Sequence, residues 1–278
     1  MDYLELEVKI KPRQPGCDLL ISELADAGFE SFAETPEGFM AYIPSAQFSE
    51  EQLDSLNNIG PEIGMIGWTK KHIPGQNWNA EWEKQFQPVV IAGKCRIRAP
   101  FHTADPAYPY EIVIQPRQSF GTGHHPTTQL MLEKLLTMDL AGRSILDMGC
   151  GTGVLSILAC RLGAEEAMGI DIEPNSVENA RDNIQLNPGV QVKVELGSEN
   201  VIAHRKFDVV LANINKNVLL KGISVYARAL RTGGDLLLSG FFKTDTNELT
   251  EAAIAAGLLP HSVITKEEWA LLHFKKQS

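Results

Sequence analysis

The sequence predicts an α/β fold: a mostly parallel sheet closed by an antiparallel last strand, with a small α+β domain ahead of it. Three observations predict it. First, Ile145-Leu146-Asp147-Met148-Gly149-Cys150-Gly151-Thr152-Gly153 carries an apolar run into an acid and a glycine-dense turn. Helical spacing follows at once (Val154, Leu155, Ile157, Leu158), and a short apolar run, Ala167 to Ile170, then ends in a second acid, Asp171. That order, strand, glycine loop, helix, strand, acid, is half of a nucleotide-binding sheet. Second, apolar runs alternate with helical patterns through most of the chain that follows, which implies parallel strands. Third, two strand patterns, 258–265 and 268–275, close the sequence with no helix between them, which implies an antiparallel pair.

Size and composition allow this. A chain of 278 residues holds one large domain and a small one. Charged residues make up 22% and hydrophobic residues 44%, ordinary for a soluble globular protein. No apolar run approaches the ~20 residues that span a bilayer. Met1-Asp2-Tyr3-Leu4-Glu5 is acidic and alternating, unlike a signal peptide. The four cysteines, Cys17, Cys95, Cys150 and Cys160, form no C-x-x-C pair, so neither a disulfide framework nor a zinc site is indicated. A cytoplasmic, monomeric protein with reduced thiols is expected. The net charge of −10 disfavours stable nucleic-acid binding and favours a basic partner.

The elements follow in order. Residues 1–73 read as a separate small domain. Tyr3 to Ile10 alternates as a half-buried strand. Asp18 to Gly28 has helical spacing and stops at a glycine. Phe29 to Ile43 makes two short strands around Pro36-Glu37-Gly38. Ser49 to Asn58 is a helix capped by Ser49, with Gln52 in its first turn, and Ile63 to Ile73 is the last strand. The order βαββαβ is a ferredoxin-like layout. Residues 74–88 are a Trp-rich linker, with Trp78, Trp82 and Phe86 spaced to share one helical face and pin it to a domain. Residues 89–278 form the large domain. Val89 to Arg98 and Tyr110 to Gln115 are strands, and Pro126 to Met138 is a helix with proline at its first position. Strands at 144–149, 167–172, 190–196, 207–213 and 235–240 then alternate with helices at 153–162, 174–186, 216–230 and 244–256.

The glycine spacing selects the ligand. A dinucleotide loop reads G-x-G-x-x-G, whereas here the spacing is G-x-G-x-G at Gly149, Gly151 and Gly153. Bare backbone at these positions can approach a ligand that a Cβ would push away. Asp147 would repel a pyrophosphate but suits an ammonium, and Asp171 suits the hydroxyls of a ribose. S-adenosylmethionine has both groups. A nicotinamide cofactor fails on the glycine spacing.

Two further segments carry chemistry. Phe207 to Asn215 is a β-branched strand delivering Asn213 to its carboxyl end, where ligands bind in open α/β sheets. Asn213 offers an acceptor and a donor, or it caps the next helix. Amino-directed methyltransferases commonly carry Asn-Pro-Pro-Tyr here, and this chain has Asn213-Ile214-Asn215-Lys216 instead. Ser119 to Thr128 is a constrained loop that can fold over the cofactor, with Thr127 and Thr128 placed to cap the helix or reach the ligand. His124 and His125 stand without the carboxylates or thiols a metal site needs, so no metal is expected.

The segments Phe120-Gly121-Thr122-Gly123-His124-His125-Pro126-Thr127-Thr128, Leu146 to Gly153 and Leu211-Ala212-Asn213-Ile214 together resemble the bacterial ribosomal protein L11 methyltransferase (PrmA) family, within the Rossmann-like class I methyltransferases. The Trp-rich stretch and the βαββαβ domain fit as well, so the resemblance spans nearly the whole chain. It implies cofactor contacts at Thr128, Gly149, Asp171 and Asn213, to which the residue reading adds Asp147 and Gly151. It implies a Rossmann-like sheet with an antiparallel last strand, and a small domain that recognises the substrate and swings on the linker. It also implies transfer of methyl groups to lysine side chains and an N-terminal amine of large-subunit ribosomal protein L11, a basic partner. Asn213 is the candidate catalytic residue. Two other readings stay open from the residues alone: another amine substrate, nucleic acid or small molecule, and a noncatalytic cofactor sensor.

Overall fold

The computed structural model describes residues 2–11, 16–58, 60–73, 86–117, 120–202 and 204–277. The chain divides into two compact units, Met1–Gln85 and Phe86–Ser278.

In the first unit β1 (Tyr3–Ile10), α1 (Gly16–Asp26), β2 (Ser31–Thr35), β3 (Gly38–Pro44), α2 (Asp54–Asn58) and β4 (Met65–Ile73) follow the expected βαββαβ order. The sheet runs β2-β3-β1-β4 with every pair antiparallel. Strict alternation in β1 sends Leu4, Leu6, Val8 and Ile10 inward, onto Leu20 and Leu24 of α1 and Leu53 and Leu56. The helix expected from Ser49 opens as a 3-10 turn, Glu50–Leu53, before α2 begins. The Ser49 N–H donates to Gln52 Oε1 at 2.7 Å, which satisfies a donor the helix cannot. Trp78 and Trp82 lie outside the described residues.

The second unit opens with a three-stranded sheet, β5 (Val89–Ile91), β6 (Cys95–Arg98) and β7 (Tyr110–Val113). The single strand expected over 89–98 is therefore a hairpin. Ala92 and Gly93 take φ of 47° and 64°, and β5 returns antiparallel along β6. Lys94 N–H donates to the Ile91 carbonyl at 2.9 Å, which closes a turn with positive φ at both central residues inside a three-residue connection, Ala92 to Lys94.

The main sheet has seven strands: β8 (Ser144–Met148), β9 (Glu166–Asp171), β10 (Val192–Leu196), β11 (Phe207–Asn213), β12 (Leu230–Phe242), β13 (Leu258–Lys266) and β14 (Trp269–Lys276), in the order β10-β9-β8-β11-β12-β14-β13. The first five are parallel, and β14 inserts antiparallel between β12 and β13. Helices cover both faces, as parallel strands require: α3 (Pro126–Leu135), α4 (Val154–Arg161), α5 (Pro174–Leu186), α6 (Lys216–Ala229) and α7 (Thr246–Ala255). The alternation of β12 divides the core. Leu236 and Leu238 pack with Leu219, Ile223 and Leu249 from α6 and α7. Leu237 packs on the other face with Leu130 and Leu135 of α3 and Leu155 of α4. Among the described residues no helix is long and apolar enough to cross a membrane.

Candidate functional site

The chain winds outward from β8 in both directions, to β9 and β10 on one side and to β11 and β12 on the other. A crevice opens at such a reversal, beyond the carboxyl ends of the strands. Three of the expected site residues stand there. Asp147 is the penultimate residue of β8, Asp171 ends β9, and Asn213 ends β11. Neighbouring registers, Asp147 with Gly169 and Leu211 with Asp147, put all three on one rim.

The glycine loop links β8 to α4, and its backbone donors are already used. The N–H groups of Gly149 and Cys150 both donate to the Ile170 carbonyl, at 2.8 and 3.1 Å. Gly151 N–H donates to Asp171 Oδ2 at 2.9 Å, Thr152 N–H to the Phe120 carbonyl at 3.0 Å, and Gly153 N–H to the Cys150 carbonyl at 2.8 Å. Gly151 has φ 53°, and a Cβ there would run into the Phe120 carbonyl. A Cβ on Gly149 would meet the Ile214 side chain. Close approach of neighbouring protein is thus a second reason for these glycines.

The buried atoms left unpartnered at this rim are acceptors, Asp147 Oδ1 and Asn213 Oδ1. Asp147 is 1% exposed, and its other oxygen accepts from the Ser156 hydroxyl at 2.7 Å and the Ser156 N–H at 3.2 Å. Burial pushes the Asp147 carboxyl up to about 6, and the nearby charge of Asp171 adds to this, while the Ser156 hydrogen bonds oppose it. A rim with filled N–H groups and open buried oxygens lacks a donor. It suits an ammonium and would repel a phosphate.

Asp171 is 8% exposed and accepts from Gly151 N–H and from Glu173 N–H, the latter at 3.0 Å. It therefore shapes the loop as well as facing the crevice. Asn213 Nδ2 donates to Thr128 Oγ1 at 3.3 Å, which joins β11 to α3. Asn213 does not cap the following helix. Asn215 does, its Oδ1 accepting from Val218 N–H at 3.2 Å, and this leaves the Asn213 carbonyl oxygen free for other work.

The segment before α3 is stitched to its surroundings. The Gly121 carbonyl accepts from Thr152 Oγ1 at 2.6 Å. His124 Nε2 sits 3.1 Å from the Gln87 carbonyl oxygen, and its ring centroid is 4.8 Å from that of Phe86. Phe86, the one linker ring among the described residues, is held by the second unit. The cap of α3 is His125, not Thr127 or Thr128: its Nδ1 accepts from Thr127 N–H at 3.3 Å and lies 2.8 Å from Thr127 Oγ1. The buried Thr128 hydroxyl is then free to hold Asn213.

Sequence reasoning missed a row of rings at the same rim. Phe120 meets His125 at 5.1 Å, His125 meets Trp269 at 4.7 Å, and Trp269 stacks on Phe242 at 4.4 Å between centroids. Phe120 and Phe242 are 58% and 50% exposed, and Phe242 lies on β12 three residues past Ser239, the register partner of Asn213. The row's only signal lies in the pairing of Phe242 with Trp269 across β12 and β14. Among the described residues no group of three or more His, Cys, Asp or Glu could hold a metal.

Comparison with known proteins bears on these residues. The family model described as ribosomal protein L11 methyltransferase (PrmA) matches residues 27–277. A protein named ribosomal protein L11 methyltransferase from Porphyromonas gingivalis is 44% identical over 264 residues, 94% of this chain and 91% of its own. One of the same name from Phocaeicola vulgatus is 42% identical over 99% of both chains. A solved structure of ribosomal protein L11 methylase from Lactobacillus delbrueckii subsp. bulgaricus superposes with TM-score 0.64 at 22% identity, over 69% of this chain and 99% of the other. A methyltransferase from Pyrococcus furiosus gives TM-score 0.51 at 19% identity, over 60% and 90%. These two share the fold of the large unit.

Proposed function

Since the chain belongs to the ribosomal protein L11 methyltransferase (PrmA) family, we propose that it moves methyl groups from S-adenosylmethionine to amines of ribosomal protein L11, at lysine side chains and the N-terminus. The observation that carries this reading is the buried, unpartnered Asn213 Oδ1 at the end of β11. It is an acceptor set beside a crevice whose other open atom, Asp147 Oδ1, also calls for a donor. A cationic amino-acid cofactor and an amine substrate are both donors.

The residues present fit such a cofactor. Asp147 would hold its ammonium, Asp171 its ribose, and Gly149 and Gly151 would line the approach, with Thr128 and Asn213 on the side of the transferred group. When bound, S-adenosylmethionine supplies an electrophilic methyl on a cationic sulfur. The chain's own part is alignment. Asn213 Oδ1 would accept a hydrogen bond from the amine N–H and so orient the nitrogen lone pair into the crevice. Thr128 fixes the amide so that its oxygen, not its nitrogen, faces the amine. The ring wall of Phe120, Trp269 and Phe242 takes the aliphatic stem of a lysine and keeps water away. An ordinary lysine, with a pKa of ~10.4, is mostly protonated at neutral pH. An apolar wall favours the neutral amine, which gives its proton to solvent before the lysine stem is seated against the rings.

The first unit serves in this reading as the substrate-recognition module, and its charge supports that role. Residues 1–85 carry fifteen Asp and Glu against six Lys and Arg, whereas the remaining 193 residues carry twenty against nineteen. Nearly all of the net negative charge therefore sits in the smaller unit. A basic ribosomal protein in the cytoplasm is the partner such a surface attracts. The experiment is incubation of the full chain with purified ribosomal proteins and labelled S-adenosylmethionine. Label on L11 is expected, and label on another protein or on RNA would overturn the assignment.

A further inference from the structure

The rim at the carboxyl ends of the strands leaves unexplained a cluster of cations at the opposite end of the sheet. Where β11 begins and α6 ends lies a cavity of about 420 Å³. Its polar lining is His204, Arg205, Lys206 and Arg228, over a floor of Ile202, Val225 and Ala229. No carboxylate lines it, in a chain whose net charge is −10. β11 has seven residues, about 20 Å of extended chain, between this cavity and Asn213.

Part of the cluster has a structural task. Lys206 Nζ donates to the Arg228 carbonyl at 2.5 Å, and Lys276 Nζ donates to the carbonyls of Ala227 and Leu230 at 2.7 and 2.9 Å. Cations belong at a helix carboxyl end, where carbonyls lack partners. Arg205 is paired with Glu195 at 2.9 Å. That leaves the Arg228 guanidinium and the His204 ring, which have no hydrogen-bond or ion-pair partner among the described residues. The cations also crowd one another. The Lys276 ammonium is held below the ordinary lysine range, first by burial and then by the charge of Lys206. Glu195 already balances Arg205, and Lys206 sits on the Arg228 carbonyl, so the charges of this group left without a counter-ion are those of Lys206 and Arg228.

We propose that the cavity lined by His204, Arg205, Lys206 and Arg228 is a binding site for a phosphate group, separate from the methyl-transfer site. The planar fork of Arg228 suits two phosphate oxygens, and Lys206 has further N–H donors to offer. The four polar residues are exposed at the mouth of the cavity, and Ile202, Val225 and Ala229 close it beneath them. The phosphate can belong to a free polyphosphate or to an RNA backbone, and the chemistry of recognition is the same.

The test uses the full chain at low chloride. Pyrophosphate is titrated by calorimetry, and a short labelled RNA is titrated by fluorescence anisotropy, into the wild type, Arg228→Gln and His204→Gln. Pyrophosphate binding that weakens at least about tenfold in Arg228→Gln, with S-adenosylmethionine affinity unchanged, is the expected result. RNA binding with the same loss in Arg228→Gln would identify the polymer backbone as the source. Pyrophosphate binding without RNA binding would identify a free phosphate. Absence of both up to about 10 mM probe, or equal affinity in wild type and both variants, would overturn the proposal.

Discussion

The side-chain amide of Asn213 donates to the Thr128 hydroxyl at 3.3 Å, so the last residue of β11 is oriented by the first turn of α3. Replacement of either residue separates acceptor from positioner. Asn213→Ala removes the acceptor and is expected to lower kcat about a hundredfold, near 3 kcal/mol of lost alignment. Thr128→Val keeps the shape but lets the amide turn, and a loss of about tenfold is expected. Mass-spectrometric methyl counting on L11 gives both rates, and an unaltered rate for Asn213→Ala removes it from the mechanism.

Asp171 has two tasks that one variant exposes together. Asp171→Ala takes away the proposed ribose contact, and the cofactor Kd should rise about thirtyfold by calorimetry. It also strands the N–H groups of Gly151 and Glu173. Unfolding free energy should therefore fall by about 1–2 kcal/mol in urea. A weakened cofactor with undiminished stability would mean that the loop does not depend on this carboxylate.

Asp147 gives the protein a pH signature. Its folded pKa of about 6 lies above the ordinary 3.8, so the folded state binds this proton more tightly than the unfolded chain. In the ligand-free protein this group therefore removes stability as pH rises from 3.8 to about 6 and restores it on acidification. Cofactor binding runs the other way. The ionised carboxylate attracts the ammonium, so affinity should drop as pH falls through about 6. Calorimetry in buffers of differing ionisation heat should show a proton released on binding near that pH. Asp147→Asn should flatten both profiles, and a sloping affinity profile in that variant would place the titration elsewhere.

Gly151 and Gly142 make a matched pair. Both have positive φ, 53° and 68°, but only Gly151 has backbone within reach of a new Cβ. Gly142→Ala should cost about 1 kcal/mol, the left-handed penalty alone. Gly151→Ala should cost at least about 2 kcal/mol, because the Phe120 carbonyl has to move as well. Equal costs in denaturant unfolding would show that the 120–121 segment yields freely.

Glu23, Asp26 and Glu51 are exposed on the first unit. A triple change to lysine should raise KM for L11 about tenfold at low salt and leave kcat within twofold. The difference from wild type should shrink as salt rises. A variant with unaltered KM would take the acidic unit out of substrate encounter.

Much of this architecture can be read from local sequence. The main-sheet strands are apolar runs bounded by glycine, proline and acid, and the loop at Gly149–Gly153 is contiguous, so the rim residues Asp147, Asp171 and Asn213 follow from short-range pattern. The misreadings have local causes too. Ala92-Gly93 lacks the Asn-Gly or Asp-Gly that marks a tight hairpin, so β5 and β6 read as one strand. Asn213 and Asn215 both suit a helix start, and only backbone geometry decides between them. What no window can reveal is where the loop's N–H groups go. Their acceptors at Phe120, Ile170 and Asp171 lie on other elements. The ring wall is likewise invisible, since Phe242 and Trp269 meet only through strand register.

The uneven division of charge has an evolutionary consequence. With fifteen acids against six bases in the first 85 residues and near balance in the rest, the proposed recruitment of a basic client by the first unit makes affinity a matter of surface charges on residues 1–85, on a different unit from Asp147, Asp171 and Asn213. Lineages with differently charged ribosomes could retune one half while inheriting the other intact. Under the proposed recruitment, grafting the acidic half onto another methyltransferase should carry the attraction for basic clients with it.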